Sequence, residues 1–179
     1  ASMSQTVKFA VVGCGHIGKR HMAMIDRNPE AELVAICDIK PKDQLGVDDY
    51  DVPFYADINE LLEKTKEADV VCVATPNGLH AEQSMLVLNA RKHVVIEKPM
   101  ALSRMNCENL IHKALNVSKK IFCVMQNRYS PPSVWLKEMI RENRLGEVQT
   151  VQINCYWNRD DRYYTPTSWH GSGTLDGGT

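Results

Sequence analysis

The stretch that most constrains this chain is Val7-Lys8-Phe9-Ala10-Val11-Val12-Gly13-Cys14-Gly15-His16-Ile17-Gly18, an apolar run ending in three glycines spaced G-x-G-x-x-G. Residues 17–28 follow with apolar side chains at Ile17, Met24 and Ile25, and with His21 on the same face, which is helical spacing. The glycines therefore stand where a strand turns into a helix. That context gives weight to a pattern that is weak alone. Gly13 allows a tight turn, Gly15 leaves the backbone open to close approach, and Gly18 lets the helix lie against the strand. Free N–H groups at the helix start, together with its dipole, favour a phosphate.

The pattern predicts an acid at the tip of the second strand, about 20 residues further on. Leu33-Val34-Ala35-Ile36-Cys37 is a short apolar run, and Asp38 follows it, 20 positions after Gly18. A carboxylate there accepts hydrogen bonds from a ribose diol and repels a 2′-phosphate. The expected cofactor is NAD rather than NADP, although Lys40 and Lys42 leave a phosphate contact open.

Composition narrows the class. With 179 residues, 44% hydrophobic and 24% charged, the chain suits a globular domain of ordinary size and part of another. A net charge of −1 argues against a nucleic-acid footprint. The apolar runs are too short for a membrane span. Ala1-Ser2-Met3-Ser4-Gln5 shows no signal pattern, and Ala1-Ser2 reads as the scar of a cleaved tag. The six cysteines, at 14, 37, 72, 107, 123 and 155, form no C-x-x-C pair. They are expected as buried reduced thiols in a cytoplasmic protein, with no metal site.

Strand and helix alternate along the chain. After a loop over Pro41–Pro53 come a short strand at Phe54-Tyr55 and a helix over 58–66, opened by the capping box Asp57-Ile58-Asn59-Glu60. Asp69–Thr75 is the next strand, continuously apolar over Val70–Ala74, which points to a parallel sheet covered on both faces. A turn, Thr75-Pro76-Asn77-Gly78-Leu79-His80, leads into a helix over 79–90 with Ala81, Met85 and Leu88 on one face, closed by Arg91 and Lys92. A strand at His93–Ile96 runs into Glu97-Lys98-Pro99. Ser103 caps a helix whose expected apolar face is Cys107, Leu110, Ile111, Ala114 and Leu115. A strand over Ile121–Met125 and a helix from Pro131 to about 142 complete a doubly wound parallel α/β sheet. At Glu147 the pattern changes. Val148–Trp157 alternates apolar and polar side chains, as a strand exposed on one face does. A domain boundary is expected at about 145, with 146–179 the beginning of a second domain.

Ligands collect at the carboxyl ends of parallel strands. Four such ends carry candidates: the glycine loop, Asp38, Thr75–His80 and Glu97-Lys98-Pro99. A lysine fixed between a buried strand and a proline, if partly desolvated, can hold or shuttle the proton of a substrate hydroxyl. Lys98 as a solvated loop lysine is the competing reading. Glu97 is placed to pair with Lys98 or to hold a ribose. Asn77 and His80 are placed to face a nicotinamide ribose and the substrate, unless His80 only caps its helix. His21, His93 and His112 are read as structural. Trp157, Tyr163, Tyr164 and Trp169, mixed with Arg159, Asp160, Asp161 and Arg162, suit a sugar site, loop packing or an oligomer surface equally.

Taken together, Gly13-x-Gly15-x-x-Gly18, Asp38, Thr75-Pro76-Asn77 with His80, Glu97-Lys98-Pro99, Trp169-His170-Gly171 and Asp176-Gly177-Gly178 resemble the Gfo/Idh/MocA oxidoreductases along nearly the whole chain. The resemblance implies a Rossmann-type sheet followed by a mostly antiparallel α+β domain used for substrate and for homo-oligomer contacts. It implies hydride transfer between NAD and a hydroxyl-bearing carbon of a sugar, sugar nucleotide or cyclitol, with Lys98 catalytic. The candidate cofactor contacts are Gly13, Gly15, His16, Ile17, Gly18, Asp38, Thr75, Pro76, Asn77, His80, Glu97, Lys98, Asn127, Trp169 and His170. The residues after Gln152 are most similar to the branch acting on UDP-N-acetyl-hexosaminuronates at C3. The family's acid/base histidine lies beyond Asp176-Gly177-Gly178, so these 179 residues alone are expected to bind NAD without turnover. The alternative is a dinucleotide sensor of the same fold. Such a sensor needs the glycine loop and Asp38 but no poised lysine.

Overall fold

The structure, a computed structural model, describes residues 5–177. The tag-like Ala1-Ser2 and Gly178 of the last motif lie outside the described residues. Six strands form one parallel sheet in the order β3-β2-β1-β4-β5-β6. They are β1 Val7–Val12, β2 Ala31–Cys37, β3 Phe54–Tyr55, β4 Val70–Val73, β5 His93–Ile96 and β6 Ile121–Cys123. Helices α1 His16–Arg27, α2 Ile58–Lys64, α3 His80–Asn89 and α4 Arg104–Asn116 connect them, and α5 is Pro131–Arg141. The strand order reverses beside β1, which places the ends of β1 and β4 at a crevice.

Burial on both faces explains the continuous apolar strands. All four residues of β4 are buried. In β1, Ala10 and Val12 join one core layer with Leu61 of α2, Leu88 of α3 and Leu110 of α4. Val11 points to the other face and packs with Met22 and Ile25 of α1 and Ile36 of β2. The period of two is thus present but masked, because both faces are apolar. Asp57 caps α2 by accepting from the Asn59 and Glu60 N–H groups, and the Ser103 hydroxyl accepts from the Asn106 N–H at the start of α4. Each cap contributes about 1 kcal/mol.

Two helix faces differ from expectation. On α1 the buried residues are Gly18, Met22 and Ile25, while Ile17 and Met24 are 39% and 50% exposed. Gly18 sets this face: a Cβ there would lie 1.7 Å from the Gly13 carbonyl oxygen, so the helix touches the strand at that point. On α4 only Leu110 and Ala114 are buried, while Ile111 and Leu115 are exposed. That helix packs on α3 near the edge of the sheet, and a narrow stripe is enough. The cysteines also divide. Cys14, Cys37 and Cys72 are buried as expected, Cys107 and Cys123 are half-buried, and Cys155 is exposed.

The chain separates into two compact units, residues 1–124 with 171–179, and residues 125–170. The second unit holds a 3-10 turn at Gln126–Tyr129 and α5. The strand expected over Val148–Trp157 does not form; those residues are exposed and unpaired in any ladder. A one-face-exposed strand needs a neighbour to complete its hydrogen bonds, and no described segment supplies one. No described helix is long and apolar enough to cross a membrane.

Candidate functional site

The crevice is built from four strand ends, all in the first unit. At the end of β1, Gly13 adopts φ +90° and donates its N–H to the Cys37 carbonyl. A Cβ there would meet the Ala74 carbonyl oxygen at 2.5 Å, so β1 and β4 come together only over a glycine. Gly15 is the N-cap of α1, and a Cβ on it would meet nothing within 4 Å. No side chain caps α1, and its first turn holds no acid. The helix therefore ends in open N–H groups beside an uncrowded backbone, which is the geometry a pyrophosphate needs. His16 and Ile17 are exposed at this turn.

Asp38 sits at the end of β2 and is tied to the glycine loop. Its Oδ2 accepts the Cys14 N–H at 2.8 Å, and its Oδ1 accepts the Lys40 N–H at 2.9 Å. Each carboxylate oxygen still has acceptor capacity for a diol. Asp38 thus has a second task that sequence spacing does not reveal, which is to fix the loop it serves. Burial, with the Asp38 charge next, pushes the Cys14 thiol up to about 12, so this thiol in the loop is inert.

At the end of β4, the Thr75 hydroxyl donates to Gln83 Oε1 at 2.5 Å. The Asn77 amide donates to the backbone carbonyl and the carboxylate of Asp176, each at 3.1 Å, and Gly78 N–H donates to the Leu175 carbonyl. Pro76 precedes the turn as its N-cap. Asn77 is therefore engaged by the 171–177 segment. His80 is 1% exposed, with Nδ1 2.7 Å from the Pro99 carbonyl oxygen and Nε2 2.7 Å from that of Thr75. Each ring nitrogen thus faces a main-chain carbonyl. The ring bridges two strand ends.

At the end of β5, Glu97 Oε1 lies 2.7 Å from His21 Nε2, and its Oε2 accepts the Lys98 N–H at 3.3 Å. Burial pushes the Glu97 carboxyl up. The hydrogen bond and charge of His21, with those of Lys98, outweigh this and hold it below its ordinary value. The Lys98–Pro99 peptide is cis. Lys98 is exposed, which matches the reading of it as a solvated loop lysine rather than a partly desolvated one. His21, read from sequence as structural, belongs to this turn. Its place three residues after Gly18, on the face turned toward the sheet, was the available signal.

Asn127, Trp169 and His170 lie in the second unit. Asn127 is exposed, and its carbonyl accepts from Ser130. Trp169 stacks on His170 at 4.0 Å, Tyr163 lies 4.0 Å from the same ring, and the Ser168 hydroxyl is 2.6 Å from His170 Nδ1. The Arg159 guanidinium lies 4.4 Å from the Tyr163 ring centroid and 5.5 Å from that of Trp157.

Fold and loop together define a dinucleotide-binding domain of the doubly wound class. The Gfo/Idh/MocA family, described as the oxidoreductase family with an NAD-binding Rossmann fold, matches residues 7–125, and the chain belongs to it. The inositol 2-dehydrogenase of Salmonella typhimurium is 31% identical over 156 residues, which is 84% of this chain and 46% of that protein. The crystal structure of the WlbA dehydrogenase from Chromobacterium violaceum, in complex with NADH and UDP-GlcNAcA, is 33% identical with a TM-score of 0.91, over 97% of this chain and 51% of that one. The scyllo-inositol dehydrogenase from Lactobacillus casei, with bound NAD(H) and scyllo-inositol, is 26% identical with a TM-score of 0.70, over 80% of this chain and 43% of that one. The chain spans about half the length of the relatives it matches.

Proposed function

We propose that the chain is the cofactor-binding part of an NAD-dependent oxidoreductase acting on a hydroxyl-bearing carbon of a sugar, sugar nucleotide or cyclitol. The observation that carries this reading is the glycine loop locked to Asp38. The backbone is open at Gly15 and closed at Gly13 and Gly18, with a carboxylate at the tip of β2 bonded to the loop itself. Gly13, Gly15, His16, Ile17 and Gly18 hold the pyrophosphate, and Asp38 takes the adenosine ribose diol. A 2′-phosphate beside that carboxylate is disfavoured, so NAD is preferred over NADP. Glu97 is a candidate for the nicotinamide side of the crevice, and Asn127, Trp169 and His170, in the second unit, stay cofactor candidates on the resemblance alone.

Bound NAD supplies a two-electron acceptor at its nicotinamide. The chain's own part in the chemistry falls to Lys98, which orients the substrate hydroxyl and takes part in moving its proton. The expected second domain over 146–179 is kept only for residues 146–170, since 171–179 belong to the first compact unit; residues 146–170 begin a mostly antiparallel sheet through which copies associate. Supporting this are the alternation in Val148–Trp157 and the 72%, 85% and 94% exposure of Val151, Ile153 and Tyr156, side chains of a kind that seek a partner surface. The sugar-nucleotide substrate is favoured by the WlbA likeness, which extends through the second unit, and by the aromatic and guanidinium cluster there.

The test is turnover of the whole protein with NAD and either UDP-GlcNAcA or myo-inositol, beside its Lys98→Ala variant. We expect the variant to bind NADH normally and to lose about 10²-fold or more in kcat, as for a lost acid–base group. Normal turnover in Lys98→Ala removes that residue from the chemistry. NADH binding with no turnover of any polyol or sugar nucleotide turns the reading toward a sensor.

A further inference from the structure

The turn that carries Lys98 is gripped from both sides by histidines. His80, the first residue of α3, is 1% exposed and sits between the carbonyl oxygens of Thr75 and Pro99, each 2.7 Å away. A carbonyl oxygen only accepts, so the ring donates through whichever nitrogen carries its proton, and the other nitrogen lies against the second carbonyl. One ring thus ties the end of β4 to the residue after Lys98. From the other side, His21 of α1 meets Glu97 at 2.7 Å, and the second oxygen of that carboxylate accepts the Lys98 N–H. The helix that contributes His21 begins in the glycine loop. The main chain of Lys98 is therefore held to the cofactor helix on one side and to the β4–α3 turn on the other, while its side chain remains exposed.

We propose that His21 and His80 are positioning residues. They hold the Glu97–Pro99 turn in register with the glycine loop so that the Lys98 amine meets the substrate hydroxyl, and neither touches cofactor or substrate. The inference rests on the reading of Lys98 given above. It separates two functions in the crevice: loosening the turn harms the chemical step but spares cofactor binding, because the glycine loop and Asp38 stand on β1 and β2.

The experiment compares wild type with His80→Phe and His21→Leu, which keep bulk and lose the donors. His80→Gln and His21→Gln keep a donor and serve as the rescue. Amide hydrogen exchange over residues 97–102 of the whole protein needs no substrate. We expect it to rise about tenfold in the Phe and Leu variants while the β4 and β5 strands stay protected, as for a local opening. With UDP-GlcNAcA as probe, kcat falls by about 10²-fold for His80→Phe and less for His21→Leu, with KM for NAD and NADH affinity within about threefold of wild type. The Gln variants recover part of both losses. Unchanged exchange over 97–102, an equal rise across the sheet, or NADH affinity falling in step with kcat overturns the proposal. If His80→Phe does not fold, the His21 pair decides it, since His21 is partly exposed and its replacement leaves the core intact. If Lys98→Ala turns over normally while exchange responds as expected, the frame stands as a structural device and it is the role of Lys98 that fails.

Discussion

Glu97 stands in the crevice under opposing electrostatic effects. Burial alone would raise its carboxyl, yet His21 and Lys98 hold it below its ordinary value. A depressed carboxylate contributes stability that is fully present above the unfolded value and is lost as pH falls through the folded one. Between those two values the unfolded chain binds the extra proton, so stability rises with pH there. We expect the thermal-unfolding midpoint of wild type to exceed that of Glu97→Gln at neutral pH, with the gap closing as pH falls below about 4.5. A gap that is constant across that range would show that Glu97 contributes through packing alone. Glu97 and Lys98 stand side by side in the sequence and His21 stands on the strand-facing side of its helix, but a hydrogen bond between residues 21 and 97 has no local spacing to betray it. His80 was likewise open between ligand contact and helix cap, and its ring lies between the Thr75 and Pro99 carbonyls.

At the scale of elements, the glycine loop shows what a motif can and cannot convey. The three glycines, the strand before them and Asp38 were legible because each has a steric or electrostatic reason tied to fixed spacing. The α1 face was legible in part: Gly18 and Ile25 are buried as read, while Met22 takes the place of Ile17 and Met24, because counting apolar side chains passes over a face anchored on a glycine. Gly18→Ala would drive a methyl group into the Gly13 carbonyl oxygen at 1.7 Å. We expect a loss of about 1–3 kcal/mol in denaturant unfolding, as for overpacking, together with weaker NADH binding. Gly15→Ala, whose Cβ meets open space, leaves folding nearly unchanged and weakens NADH binding alone. If the two variants were equally stable, the close approach of α1 to β1 would not be what holds the loop. Similar reasoning applies to Lys92, read from sequence as a cation closing α3. It is buried and donates to the Lys66 and Ala68 carbonyls, and this burial is what lowers its amine below the ordinary lysine value.

For the molecule as a whole, the parallel sheet and its strand order follow from alternation of strand and helix, which the sequence displays throughout residues 7–123. The alternation of Val148–Trp157 was just as legible, but a strand is a property of a pair, and no described segment stands beside it. What the chain does complete is the crevice at the ends of β1, β2, β4 and β5. The central claim is that this crevice takes NAD, with Asp38 both selecting the cofactor and fixing the loop. Isothermal titration of the chain with NADH and NADPH, repeated with Asp38→Ala, tests it most directly. The account predicts saturable NADH binding, weaker NADPH binding, and a loss of at least about tenfold in NADH affinity for Asp38→Ala, in line with a lost charge-assisted hydrogen bond. Equal affinity for the two cofactors, or an Asp38→Ala variant that binds NADH as wild type does, would contradict it.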